Sequence, residues 1–179
     1  MKFYSFEAGK RVRLGLEHGG QIADLPLLHF LLSGNDEPSA GAAPVIPPDM
    51  LAFVRAGKPA REAALTIQTS LKKRRAIPAG EQVFYDLDSV RILQPLLKPG
   101  KILLAEVTSS GTRDAFRFQV KLPSTLVGSG AEIRTSATLL SRTYVAGVIG
   151  RKTKSAGLDE VMENVFGCTL LNDLRLNEA

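Results

Sequence analysis

At 179 residues, with 44% hydrophobic and 23% charged side chains, the chain has ordinary globular composition and fits one domain, or a small domain joined to part of a second. The formal charge of +5 is modest, and its two concentrations, Lys72-Lys73-Arg74-Arg75 and Arg151-Lys152-Thr153-Lys154, contain none of the stacking aromatics of a nucleic-acid reader, so no nucleic-acid partner is expected. No stretch reaches the roughly 18 apolar residues of a membrane span, the N-terminal MKFYSFEAGKRVRLG lacks the apolar run of a signal peptide, and the single Cys168 excludes an internal disulfide framework, so a cytoplasmic protein without a membrane partner is expected.

Residues 2–7 and 11–17 alternate apolar and polar side chains across Ala8-Gly9-Lys10, a hairpin pattern, and Gly19-Gly20 turns the chain into a third short strand, Gln21–Asp24. Leu25, Leu27, Leu28, Leu31 and Leu32 form a helical stripe that Gly34 ends, and residues 33–48, rich in Gly, Asn, Asp, Ser and Pro, read as a loop. Pro48 suits a first helical position, with Met50, Leu51, Phe53 and Val54 on one face up to Gly57. A further helix is expected from about Ala60 into the basic run, ending near Pro78-Ala79-Gly80.

Beyond that point short β-rich runs dominate: residues 83–85, 90–93, 101–107, 115–121, 132–135 and 143–149, separated by Gly, Pro and Ser. Residues 158–166 predict a last amphipathic helix, with Leu158, Val161, Met162, Val165 and Phe166 on one side, and residues 168–171 a last strand. The fold class is therefore α+β: a small hairpin-and-helix part followed by a mostly-β body.

Generic motifs contribute little. His18 and His29 are too far apart for a helical metal pair, and one cysteine gives no zinc spacing. Gly128-Ser129-Gly130 lacks the following lysine and helix of a phosphate loop and reads as a tight turn.

Three segments taken together carry a resemblance. Lys121-Leu122-Pro123-Ser124-Thr125-Leu126-Val127-Gly128-Ser129-Gly130 resembles the K-P-P-S-x-L-V-G-P-G segment of the fumarylacetoacetate hydrolase family. Val148-Ile149-Gly150-Arg151-Lys152, with Gly167-Cys168-Thr169-Leu170-Leu171-Asn172-Asp173 further on, is similar to that family's V-V-I-G-R and G-Y-T-x-x-N-D run, and Leu97-Lys98-Pro99-Gly100-Lys101-Ile102-Leu103 to its entry into the catalytic domain. Phe6-Glu7 and Leu14-Gly15 resemble the small preceding domain. The resemblance implies an N-terminal cap domain over residues 1–95 and a partial catalytic β-roll domain over residues 96–179.

It also implies chemistry on a 2-oxo acid or 1,3-dicarbonyl compound, of the C–C hydrolase, lyase or isomerase type. The family uses magnesium or manganese, a hard cation held by carboxylates that stabilises a developing enolate. Aligned on Val148-Ile149-Gly150, Arg142 and Tyr144 stand where the family has its Glu-x-Glu metal pair, and Asp173 is the only matching ligand. Residues 174–178 lack the Ser, Arg and final Asp that follow in the family, and residues 104–109 lack its His and Asp. No metal cofactor is therefore expected.

Two readings follow. In one, Lys121, Ser124 and Arg142 bind a small anionic oxo or dicarbonyl ligand, and Tyr144 or Asp173 moves a proton. In the other, the chain is a non-catalytic subunit or pseudoenzyme. The family's catalytic domain continues for about half its length again, so unpaired strand edges covered by self-association or by a partner chain are expected.

Overall fold

The structure, a computed structural model, describes residues 1–33, 45–73, 82–109 and 114–177. Strands β1 (Phe3–Ala8) and β2 (Arg11–His18) form the expected hairpin, and β3 (Gln21–Asp24) returns along β2. Two short later strands close this sheet: β4 (Phe84–Asp86) pairs with β3 and β5 (Arg91–Ile92) with β1, giving the antiparallel order β4-β3-β2-β1-β5. The β-rich texture after residue 82 thus does not all belong to a separate body, because its first two strands complete the N-terminal sheet.

Asp24 ends β3 and starts α1 (Leu25–Leu32). Its carboxylate accepts the Leu27 N–H at 3.1 Å, satisfying one of the orphan donors of the first turn, and pairs with Arg13 at 2.5 Å. Helix α2 (Met50–Ala56) begins two residues later than Pro48 suggests: Asp49 is its cap, accepting from Ala52 N–H at 2.9 Å, because a carboxylate at that place supplies the acceptor that proline lacks. Gly57 closes α2 and opens α3 (Lys58–Lys72) with φ 67°, a conformation that disfavours any side chain bearing a Cβ. Helix α3 starts at Lys58 rather than near Ala60 and ends at Lys72, short of the expected stop, with Lys73 as its cap. The loop over residues 34–44, the Gly34 stop, Arg74, Arg75, the Pro78-Ala79-Gly80 stop and Glu178 lie outside the described residues.

The three helices lie on one face of the sheet. Leu14, Leu16, Leu25, Leu28, Met50, Phe53, Ala60, Ala64 and Ile67 are buried between them, while Phe6, Ile22 and Tyr85 form a smaller cluster on the sheet's other face. Apolar stripes of both periods, 2 on the strands and 3.6 on the helices, meet here, which is why this part was legible.

The rest is built from two hairpins. Strand β6 (Ile102–Ser109) pairs with β7 (Asp114–Lys121), and β8 (Leu139–Ile149) with β9 (Val165–Leu176), each as a two-stranded antiparallel sheet. Residues 132–135, expected as a strand, form none: they are exposed, and Arg134 turns back onto Glu132 at 3.0 Å instead of finding a ladder partner. Helix α4 (Leu158–Asn164) stops before Val165 and Phe166, which belong to β9. Gly150 N–H donates to the Asn164 carbonyl at 2.8 Å and Val165 turns extended, so the helix feeds directly into the strand. Leu158 and Met162 on α4 are exposed rather than packed.

Phe166 ties the second hairpin to the N-terminal core. Its ring meets Phe53 edge-on at 5.7 Å and Phe3 at 6.2 Å, with Arg61 over its face at 5.5 Å. The Gly128 turn ties in the connection after β7: a Cβ there would sit 3.0 Å from backbone atoms of Ile92, Leu93 and Gln94, so any larger residue would have to push that backbone aside. The architecture is α+β, with a helix-covered sheet followed by two open hairpins.

Candidate functional site

Cross-strand partners in an antiparallel pair share a face, and alternate residues along a strand point to opposite faces. On β8 and β9 this rule puts Arg142, Tyr144, Asp173 and Arg175 together, since Arg142 is directly opposite Asp173 and Tyr144 opposite Leu171. On β6 it puts Glu106 on the same face as the buried Leu104. These two faces meet, and what lies between them is a cluster of charge.

Glu106 Oε1 accepts three hydrogen bonds: from the Tyr144 hydroxyl at 2.8 Å, Arg175 Nη2 at 2.8 Å and Arg142 Nη1 at 3.2 Å. Asp173 accepts from Arg175 Nε at 2.6 Å and from the Lys121 ammonium at 2.8 Å. Arg175 thereby bridges both carboxylates, and its Nη2 also donates to the Tyr144 oxygen at 3.3 Å. Three cations face two carboxylates, which leaves one positive charge in excess.

The environment sets the charge states. Burial pushes the Asp173 carboxyl up, but the Lys121 and Arg175 hydrogen bonds and charges outweigh it and hold the group below its ordinary value. The hydrogen bond from Tyr144, then that from Arg175, holds Glu106 low as well. The hydrogen bond to Asp173 raises Arg175 further. Both carboxylates are ionised at neutral pH, and each is a weak base.

The structure therefore brings Lys121, Arg142, Tyr144 and Asp173 into one cluster. Ser124 stays apart, exposed in the 3₁₀ turn Pro123–Thr125 and outside the cluster's hydrogen bonds. Arg142 is not a free ligand-binding cation, since it is paired with Glu106, yet its side chain remains 58% exposed and one of its five N–H donors makes that contact. Sequence reasoning passed over Glu106 and Arg175. The signal for Arg175 was the period of 2 counted on from Asp173, whereas Glu106 becomes visible only when β6 is laid against β8.

Magnesium or manganese does not fit this donor set. A hard divalent cation needs about six oxygen ligands near 2.1 Å, and here both carboxylates already face guanidinium and ammonium groups that would repel it. Among the described residues no group of three or more His, Cys, Asp and Glu side chains converges. His18 sits at the end of β2 against Phe84 at 6.3 Å, and burial holds His29 in α1 below its ordinary value; neither approaches the cluster.

No family model matches the sequence, and no curated protein does. Solved structures do match. The maleylpyruvate hydrolase of Sphingobium sp. SYK-6, solved in complex with manganese(II) and pyruvate, aligns over 100% of this chain and 60% of its own, at 22% identity and a TM-score of 0.68. The fumarylacetoacetate hydrolase of the psychrophilic Exiguobacterium antarcticum aligns over 97% of this chain and 56% of its own, at 20% identity and a TM-score of 0.65. The fold is that of the fumarylacetoacetate hydrolase family. The chain spans less than two thirds of either relative, and at these identities what they share with it is fold. Among the described residues no helix is long and apolar enough to cross a membrane.

Proposed function

We propose that the chain is a fumarylacetoacetate hydrolase relative, with a cap over residues 1–95 and part of the catalytic domain over residues 96–179, that binds a small anionic 2-oxo acid or 1,3-dicarbonyl compound without a divalent metal. The observation that carries this reading is the excess positive charge of a cluster whose two carboxylates are already neutralised from within. Arg142 is the ligand's first contact, because its exposed guanidinium fork matches a carboxylate through two parallel hydrogen bonds. Lys121 supports it from β7. Proton transfer in C–C hydrolase, lyase or isomerase chemistry falls to Tyr144, whose hydroxyl lies between Glu106 and Arg175, rather than to Asp173, which two cations keep ionised. A cytoplasmic location belongs to the same proposal.

Calorimetry with oxaloacetate and an acylpyruvate, in the presence of a chelator, tests it. Binding is expected without metal, weakened about tenfold by Arg142→Lys and lost in Arg142→Ala. No heat with either acid, or binding indifferent to Arg142→Ala, overturns it.

A second reading, a non-catalytic subunit, rests on the outward faces of the hairpins. Leu103, Ala105 and Val107 stand opposite Val120, Phe118 and Phe116 on the face of β6–β7 away from the cluster. Both phenylalanines are 65% exposed and stack on each other at 6.4 Å. Val145 and Leu170 make a similar exposed pair on the outer face of β8–β9. The first face alone exposes on the order of 500 Å² of apolar surface, near the upper end of what an ordinary monomer shows, and the two faces together approach the roughly 800 Å² that each partner gives to a standard interface. The middle of the β6–β7 face, made of Leu103, Ala105, Val107, Phe116, Phe118 and Val120, is wholly apolar, so two copies of a chain of net charge +5 meet across it without like-charge contact. The occupant we propose is a second copy. Light scattering at micromolar concentration should report more than one chain per particle and Phe118→Asp a single one; a wild-type monomer, or assembly only with a different chain, sinks the self-association.

A further inference from the structure

We infer that the Arg175 guanidinium fills the place of a bound cation between Glu106 and Asp173, and that its removal opens a latent divalent-cation site. This rests on the reading of a cluster that works without metal. Arg175 Nε meets Asp173 Oδ2 at 2.6 Å and Nη2 meets Glu106 Oε1 at 2.8 Å. Both nitrogens are bonded to one carbon, so the two carboxylate oxygens converge on a single small positive centre. The Tyr144 oxygen, 3.3 Å from the same Nη2, adds a third oxygen around it. A hard cation asks for such an arrangement, oxygen donors of separate strands aimed at one point, and water would complete its shell.

A covalently tethered guanidinium supplies one charge where a metal supplies two. The shortfall is covered by Lys121 on the far oxygen of Asp173 and by Arg142 on Glu106. Arg142 is also the cross-strand partner of Asp173, so a carboxylate at position 142 would stand beside Asp173 on the face that carries the cluster. The cluster is one substitution away from a weak cation site and two from a stronger one.

Manganese(II) binding to chelator-treated protein, followed by electron paramagnetic resonance, tests this on the full chain. The wild type should bind no manganese up to 5 millimolar or so. Arg175→Gln, which keeps a hydrogen-bonding side chain, should bind one ion with a Kd of about 0.1–1 mM, the range of weak oxygen-donor sites. R142E/R175Q should bind at least tenfold more tightly, and adding Asp173→Asn to either variant should remove the gain. Circular dichroism establishes that each variant is folded, and should Arg175→Gln be unstable, Arg175→Met, which also vacates the place between the two carboxylates, must raise affinity over the wild type. Manganese bound by the wild type would defeat the metal-free reading itself. If folded Arg175→Gln and R142E/R175Q bind no better than the wild type, or if their gain survives Asp173→Asn, the latent site is overturned while the metal-free reading stands.

Discussion

The N-terminal sheet with its helices and the two hairpins beyond it are built on opposite plans. In the first, strands and helices turn apolar side chains inward, and Phe53, Leu14 and Leu16 are fully buried among them. In the second, the faces that meet carry Glu106, Asp173, Lys121, Arg142 and Arg175, and the apolar residues Phe116, Phe118, Val145 and Leu170 look outward. Burial of hydrocarbon stabilises the first region by itself, because its elements cover one another. The second is held by hydrogen-bonded charge and by a few anchors onto the first, and two-stranded sheets standing alone are marginal in water. A region whose pattern is inverted in this way depends on what it is attached to and on what covers it.

The comparison breaks most severely in the core. Phe53→Ala removes a fully buried ring that touches Phe3 at 5.1 Å and Phe166 at 5.7 Å, and should cost about 3–5 kcal/mol in denaturant unfolding. Phe166→Ala should cost less, about 2–3 kcal/mol, because the ring is only partly buried. Its effect should also be regional: hydrogen exchange should accelerate in β8 and β9 while β1–β3 keep their protection. If Phe166→Ala instead loosens both regions alike, they form one cooperative unit and the contrast between them fails.

What the sequence disclosed follows the same division. Gln21–Asp24 and Leu25–Leu32 were readable to the residue, because period and capping agree with the tertiary role of each. The hairpins were readable as strands, but not as to what they do with their faces. Arg142 and Tyr144 stood out against the family pattern, which drew the eye to lost metal ligands and away from Glu106 and Arg175. Their pairing joins residues separated by 69 positions, a distance over which local pattern carries no information. The strand expected over residues 132–135 and the longer final helix failed for a related cause: propensity was present, yet no partner strand or core face was there to use it. Gly128 shows the reverse. Its place in the resembling segment is explained by close packing against residues 92–94, without any catalytic demand.

The smallest expected effect, and the one that separates the two regions most finely, is their response to acid. Glu106 and Asp173 are held below their ordinary values of 4.5 and 3.8, so the folded state gives up its protons more readily than the unfolded one. A group of that kind contributes stability that is complete above its unfolded value and is lost as pH falls through its folded value. The hairpins should therefore hold down to about pH 4.5 and weaken below it. In the N-terminal region burial holds His29 below its ordinary 6.5, so that this group favours folding only while it stays neutral. Its loss begins as pH falls below that value, before the carboxylates respond. Thermal unfolding by circular dichroism from pH 7 to pH 3 should show a shallow decline in melting temperature below about pH 6.5, then a steeper one below about 4.5. His29→Gln should remove the first limb alone, and the pair Glu106→Gln with Asp173→Asn should flatten the second from a lower starting stability. A single limb abolished by His29→Gln would mean that the charge cluster adds nothing to the fold, and the hairpins would then owe their order to Phe166 and to whatever covers their outer faces.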